Sequence, residues 1–426
     1  MEMLKNVSKA FKVPEMRSKI IFTVMMLVVF RIGASIPVPG INRETLASIF
    51  TGDKGLLDLF DLFSGGSFSN FTIFALSITP YITASIIIQL LTVAFPYFER
   101  LAKEGASGRK KMAQITRYLT VVLALVQALG LTIGLFRKAV VDQTWFSFLV
   151  IILVLTAGTS FLMWLGEQIN ENGVGNGISL IIFGGIVARI PTDMRSLHTQ
   201  YSEGEISVIS LILFAAFAVV VILGIIEVQQ GTRKIPVQYA KRVVGRKMYG
   251  GQSTHIPLKV NQAGVIPVIF ALSLLQFPLT ITYFFPNTGF TNFVTKWLSP
   301  AGNPGVWVYA LFNVLLIIFF NYFYTTVTFN PLEVANQMKA NGGFIPGIRP
   351  GKATVEYLAR VMSRLSFVGA IFLAVIATLP TLIGQFTGLN IRFGGTSLLI
   401  AVGVAIDTMK QMESQMVMRN YQGFLK

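Results

Sequence analysis

Between Gly65 and Leu91 the chain is apolar enough to sit in lipid, yet it is built to be irregular. Gly65 and Gly66 open the stretch among serines, Pro80 interrupts its middle, and hydroxyls recur at Thr72, Ser77, Thr79, Thr83 and Ser85. Irregular backbone at membrane depth is tolerated only where protein or a water-filled cavity satisfies the freed polar groups, so this stretch is expected to line a path or face a moving partner. Ion-coupled carriers need a titratable or ion-binding group in mid-membrane. Here Glu167, Glu227 and Asp407 lie toward the ends of apolar segments and the centres hold no acid, which weighs against a pump or proton symporter. Arg31 is the one clear cation inside an apolar run, where snorkelling or a contact to a backbone carbonyl is the expected role.

Hydrolytic and nucleotide chemistry finds no support. There is no HExxH, GxSxG or Walker A sequence, and Gly347 to Lys352 (GIRPGK) is one residue too short and lacks the following Ser or Thr. The absence of cysteine rules out disulfides and thiolate metal sites. His198 and His255 fall outside the apolar runs and read as loop residues, so no metal or other cofactor is expected. The apolar segments do offer branched side chains at helical spacing: Ile78 and Ile82 share a face, as do Ile182 and Ile186, while Ile269 follows Pro267 and Ile400 follows Gly394-Gly395-Thr396-Ser397. Core packing accounts for such spacing; a ring of the same side chains could also seal a pore by excluding water.

These residues have to be positioned by a membrane bundle. The 426 residues are 53% hydrophobic and 13% charged, with a mean hydropathy of +0.65, which no ordinary soluble globule shows. The net charge of +16 is explained by cytoplasmic loop bias and anionic lipid, and does not call for DNA binding. A helix needs about 20 apolar residues to cross a hydrocarbon core. Ten segments qualify or nearly do: 20–36, 71–95, 118–136, 147–165, 177–190, 207–226, 263–284, 305–326, 365–386 and 394–410. The first of these reads as a retained anchor rather than a cleaved signal. The fifth is short, with Pro191 at its end, and is expected inside the bundle. If the N-terminus is cytoplasmic, 26 Lys and Arg fall on that side and eight on the other, with Arg31 within a span, so both termini are assigned to the cytoplasm. Five spans per half would let a repeated half insert inverted. The apolar run Leu56 to Phe63 is too short to cross, and the glycines after it would let it fold back.

Two cytoplasmic loops exceed a minimal connection. In 227–262, alternating apolar residues flanked by glycine suggest a short hairpin, with Lys241, Arg242, Arg246 and Lys247 crowding its middle. In the second, Asn341 to Gly351 (NGGFIPGIRPG) frames Arg349 with Pro and Gly, as suits a side chain presented for docking.

The strings TIFALSITPYITASIIIQLLTV, EGASGRKKMAQITRY, GEQINENGVGNGISLIIFGGIV, IPLKVNQAGVIPVIFA, ANGGFIPGIRPG and FGGTSLLIAVGVAIDTM closely resemble the SecY/Sec61-alpha family of protein-conducting channels, in order and over essentially the whole chain. The resemblance implies an all-α fold of ten transmembrane helices in two pseudo-symmetric inverted halves around a pore. An amphipathic cytoplasmic arm (1–19) would precede the N-terminal half (20–190). An external hinge loop (191–206) would lead to the C-terminal half (207–410), with cytoplasmic loops 227–262 and 327–363 and a tail (411–426). It makes residues 56–66 a plug, containing Leu56, Leu57, Leu59, Phe60, Leu62, Phe63, Gly65 and Gly66. It makes Ile78, Ile82, Ile182, Ile186, Ile269 and Ile400 the constriction ring, and Thr83, Gln127, Ser273 and Gln276 the polar residues of a lateral gate. Arg242, Arg246 and Arg349 would dock the ribosome or the motor ATPase SecA, with SecE and SecG as small membrane partners. The implied activity is passage of unfolded secretory polypeptides, recognised by their signal peptides, across the bacterial plasma membrane and lateral release of transmembrane segments into the bilayer. The alternative is an inverted-repeat secondary transporter of a small solute.

The basic asymmetry gives a direct test. Single cysteines introduced into this cysteine-free chain at Lys111, Lys247 and Gly351 should react with an impermeant thiol reagent from the cytoplasmic side, and those at Lys54 and Lys296 from outside. Reversed labelling at any two positions would refute the ten-span topology.

Overall fold

The computed structural model describes residues 11, 13–42, 44–46, 61, 64–204, 207–239, 242–244, 247–249, 253–282, 284–285, 288–299, 304–387 and 395–423. Within them a helix covers each of the ten apolar segments: α1 (Pro14–Gly33), α2 (Thr79–Ala94) bent by 100° into α3 (Pro96–Lys103), α4 (Ala106–Leu129) running into a π-helical turn (Gly130–Leu135), α5 (Trp145–Asn172), α6 (Gly177–Ser202), α7 (Val208–Gln230), α8 (Ile266–Thr282), α10 (Gly305–Thr328), α12 (Lys352–Thr387) and α13 (Gly395–Gly423). A short helix α9 (Gly289–Trp297) precedes α10, and α11 (Pro331–Ala340) follows it. Six of these helices are long and apolar enough to cross a membrane on their own, or seven if the bent pair α2–α3 is one span. The chain is an all-α polytopic membrane protein.

Local chemistry sets the helix starts. Side chains of Thr144, Asn176, Ser207, Thr288 and Asn330 accept backbone N–H groups at the starts of α5, α6, α7, α9 and α11. Proline occupies the first turn of α1, α2, α3 and α11, where its missing N–H is not needed. This corrects one expectation: Pro80 starts α2 instead of breaking a helix that began near residue 71. The run from Gly65 to Ile78 before it is a chain of turns, and α2 has only 16 residues. A second correction concerns Pro191. Residues 191–202 are not a loop, because α6 continues through Pro191 to Ser202, carrying His198 with it.

Packing follows the solvent. Many aliphatic side chains on α7 lie outside the protein, with Ile209 78% and Leu213 71% exposed while Ile225 is buried, because lipid competes equally for such side chains and only shape holds helices together. Inside, α10 lies along α12, α2 along α4, α4 along α5, and α7 along α13, while α8 touches α2 from one half and α10 from the other. One large apolar cluster joins both halves, and a second one, around Phe68, Phe71, Phe136 and Leu155, fills the N-terminal half near the end of α1.

Five strands project from the helices. β1 (Thr232–Tyr239) pairs antiparallel with β4 (Ser253–Lys259), and a smaller hairpin, β2 (Arg242–Val244) with β3 (Lys247–Tyr249), lies between them in sequence. The predicted hairpin is therefore present. What the sequence did not suggest is that β5 (Gly343–Phe344) adds to the other edge of β1, pairing Phe344 with Gln238 and Gly343 with Tyr239. The sheet order β4-β1-β5 welds the two large loops together over a separate core of Ile235, Val237, Leu258, Met338, Ile345 and Leu358.

That register can be tested by cross-linking. Gln238→Cys with Phe344→Cys should form a disulfide under mild oxidant, seen as reconnection of fragments after proteolysis between them. Thr232→Cys with Phe344→Cys should not, since six residues along a strand is about 20 Å.

Candidate functional site: an isoleucine cluster beside a clamped turn segment

Ile78, Ile82, Ile182, Ile186, Ile269 and Ile400 are all buried and belong to the one cluster that bridges the halves. They arrive from four helices: Ile78 and Ile82 at the start of α2, Ile182 and Ile186 on α6, Ile269 on α8 and Ile400 on α13. The cluster also holds other aliphatic side chains, among them Ile86, Ile181 and Val404. The six isoleucines themselves offer no hydrogen-bond donor or acceptor, and the rings of Phe30, Phe74, Phe270 and Phe320 share the cluster with them.

Beside it lies the irregular segment. Phe71 and Ser77 have positive φ (44° and 53°), a conformation that L side chains rarely adopt. Polar groups compensate. Val38 N–H donates to Phe71 O and Ile73 N–H to Ile36 O, so residues 36–38 stand in for a helical ladder. Thr72 Oγ1 donates to Ser67 O, and Ser64 Oγ accepts from Phe68 N–H at 2.9 Å. The hydroxyls evident in the sequence thus serve partly to satisfy backbone that no helix satisfies.

Two arginines hold this segment. Arg31, at the end of α1, donates to Gly65 O at 3.2 Å, the carbonyl contact expected of it. Arg189 on α6 donates through Nη1 to Asp61 Oδ2 at 2.8 Å, with side chains only 11% and 5% exposed. Asp61 Oδ1 in turn accepts from Ser64 Oγ (3.1 Å) and Ser69 N–H (3.0 Å). Gly65, at φ +64°, lies so close to α6 that a Cβ there would stand 2.6 Å from the Gly185 Cα. Ile182, Gly185, Ile186 and Arg189 follow an i, i+3, i+4, i+7 spacing and so form one stripe of α6. That stripe carries two of the clustered isoleucines, the contact glycine and the clamping arginine. A cavity of about 480 Å³ opens beside it, lined by Arg31, Asp61, Ser69, Asn70, Arg189 and Thr192 among others.

Of the expected plug residues, Gly65 and Gly66 belong to this turn segment; Leu56, Leu57, Leu59, Phe60, Leu62 and Phe63 lie outside the described residues. The four expected gate residues are on α2 (Thr83), α4 (Gln127) and α8 (Ser273 and Gln276). Ser273, Gln276 and Gln127 are buried and Thr83 is half-buried, its hydroxyl donating to Thr79 O at 3.0 Å. α8 packs on α2 and on the π-helical turn after α4, and the Phe284 ring fills the space a Cβ at Gly130 would need. At the other end of the bundle Arg349 is exposed on a turn framed by Gly347 and Gly351, both at positive φ, and its carbonyl is tied by Thr354 Oγ1 at 3.0 Å. Arg242 lies in β2, whereas Arg246 is outside the described residues.

Sequence reasoning missed Asp61 and treated Arg189 as an ordinary outer basic residue. The signal was available: the run Leu56 to Phe63 holds two acids, Asp58 and Asp61, and an acid set between Phe60 and Leu62 needs a cation if it is buried. It also missed Arg117, whose Nε lies 2.7 Å from Glu167 Oε1 and ties α4 to α5.

A family model described as SecY matches residues 72–409. Among curated proteins, the chain is 51% identical to the protein translocase subunit SecY of Halalkalibacterium halodurans and 50% identical to that of Bacillus subtilis, in both cases over 100% of each chain. Among solved structures, it resembles one described as the structure of a protein conducting channel (TM-score 0.68, 21% identity, 94% of this chain and 93% of that one). It also resembles Sec61 in the canine ribosome-channel complex from the endoplasmic reticulum (TM-score 0.62, 19% identity, 94% and 93%). With half of its residues shared with full-length relatives and its fold shared with these channels, the chain belongs to the SecY family.

Proposed function

We propose that this chain is the channel subunit of a protein translocase, passing unfolded polypeptides across a membrane and releasing transmembrane segments sideways into it. The observation that carries the reading is the cluster of six isoleucines from four helices, set beside an irregular segment clamped to α6. A carrier of a small solute would need polar recognition at that level, and a constriction of isoleucines provides none. Branched apolar side chains dewet when the path is empty, which holds back ions, and fit loosely around any side chain that passes.

The remaining assignments complete the cycle. Residues 56–66 form the plug on the external side, and the lateral gate lies between α2 and α8 with the neighbouring α4 and α10. There, Thr83, Gln127, Ser273 and Gln276 can pair with one another when shut and receive a signal helix when open. The chain itself carries no catalytic step; energy comes from outside, from an elongating ribosome or from SecA, docked on Arg242, Arg246 and Arg349. SecE and SecG pack on its lipid-facing helices. The membrane is the bacterial plasma membrane, with both termini cytoplasmic. The family resemblance and the basic asymmetry support these partners and this orientation. Docking and signal insertion open the channel by binding the open state better than the closed one.

Two experiments test the reading. Ile82→Asn or Ile400→Asn should wet the constriction, raising ion leak through purified channels and passing precursors with defective signals. Unchanged leak and unchanged stringency would return these residues to core packing. Arg349→Glu should reduce SecA-driven transport at least about tenfold while leaving chain abundance unaltered, since an exposed loop charge contributes little to stability; normal transport would remove Arg349 from the docking surface.

A further inference from the structure

We propose that the Asp61–Arg189 ion pair is an electrostatic latch that sets the opening threshold of the channel, making Arg189 and Asp61 positioning residues that determine which signals suffice to open it. The inference rests on the channel reading above and adds to it a specific closed-state contact. Asp61 is joined to Arg189 at 2.8 Å and is almost fully buried, as is its partner. It is the most enclosed of the ion pairs among the described residues; the pairs Lys103–Glu99, Lys111–Glu104 and Arg117–Glu167 all leave at least one side chain 47% or more exposed.

Position gives the pair its leverage. Arg189 is one turn beyond Gly185, where the backbone of the turn segment touches α6, and three residues beyond the seal residue Ile186. Displacing the segment from the pore therefore has to separate a buried carboxylate from a buried guanidinium. Such a separation is strongly unfavourable unless each charge finds water or a new partner. The cavity beside the pair, with Arg31, Ser69, Asn70 and Thr192 on its walls, is where those charges would be received. Among the described residues Arg31 donates to a neutral carbonyl, Gly65 O, and so contributes a weaker second point of attachment.

The geometry separates the latch from the turn it sits on. Asp61 Oδ1 serves the turn, through Ser64 and Ser69, while Oδ2 serves Arg189. Asp61→Asn keeps an acceptor for the turn and removes the charge. Arg189→Gln removes the other charge, and the double variant leaves two neutral amides that can still pair. Each single variant, measured as ion leak of the intact purified complex in planar bilayers without substrate, should leak about tenfold more than the parent, equivalent to about 1.4 kcal/mol on the open-closed equilibrium. Each should also pass precursors with defective signals. The double variant should leak no more than the worse single one, because no buried charge is left unpaired, and Arg189→Lys should restore most of the parental stringency. Should a single variant fail to accumulate, the double variant and Arg189→Lys carry the comparison. Parental leak and stringency in all accumulated variants, or additive effects in the double, would overturn the latch. With Ile82→Asn measured alongside, a leaking Ile82→Asn beside silent latch variants disproves the latch alone, whereas silence in every variant disproves the channel reading with it.

Discussion

Backbone amides and carbonyls cannot be left unpaired in hydrocarbon, and the path between Ser64 and Ile78 runs through the bundle without a helical ladder. Much of the N-terminal half is arranged around that fact. Residues 36–38 lend their backbone to Phe71 and Ile73, side-chain hydroxyls of Ser64 and Thr72 pair with local amides and carbonyls, and Arg31 reaches across to Gly65. Aromatic rings close over the outside, with Phe71 and Phe136 edge to face at 4.6 Å. The segment keeps part of its backbone pairing within itself, as in Thr72 N–H to Ser67 O and Ala75 N–H to Thr72 O, and borrows the rest from residues 36–38 and from Arg31, so those borrowed bonds are the ones that hold it in place.

The two halves meet chiefly through apolar surface, with Lys19 Nζ donating to Gln415 Oε1 at 3.3 Å as a polar contact between α1 and α13. Aliphatic contact between α2, α6, α8 and α13 has no directional partner to lose, so those helices can slide apart in lipid at modest cost. Charge is kept for places where position matters. Arg117–Glu167 fixes α4 to α5, and Asp61–Arg189 fixes the turn segment to α6. Rigid fastening within one half and soft contact between halves is a physical basis for a molecule that opens along its middle.

The sequence made the helices legible because lipid imposes a simple rule of length and composition, and the caps and first-turn prolines sharpen their starts. It made the isoleucines legible through spacing on single helices, though their convergence from four helices is a tertiary fact. Pro80 and Pro191 misled in opposite ways. Proline within an apolar run reads as a break, but at the first turn of α2 it is at home, and in α6 the helix continues past it for 11 residues. Asp61 and Arg189 are 128 residues apart, and nothing local announces that pairing. The same holds for β5, whose two residues are too few to show a strand pattern and become one only by adding to β1.

That third strand has a mechanical consequence. β1 leaves α7 through the single residue Gly231, β4 leads within seven residues into α8, and β5 stands between α11 and the Arg349 turn that feeds α12. A push on either loop is therefore shared by three transmembrane helices through backbone hydrogen bonds across β1. The sheet thus couples the ends of α7, α8 and α12, so none of the three can shift at that end without moving the other two or breaking the β1 ladder.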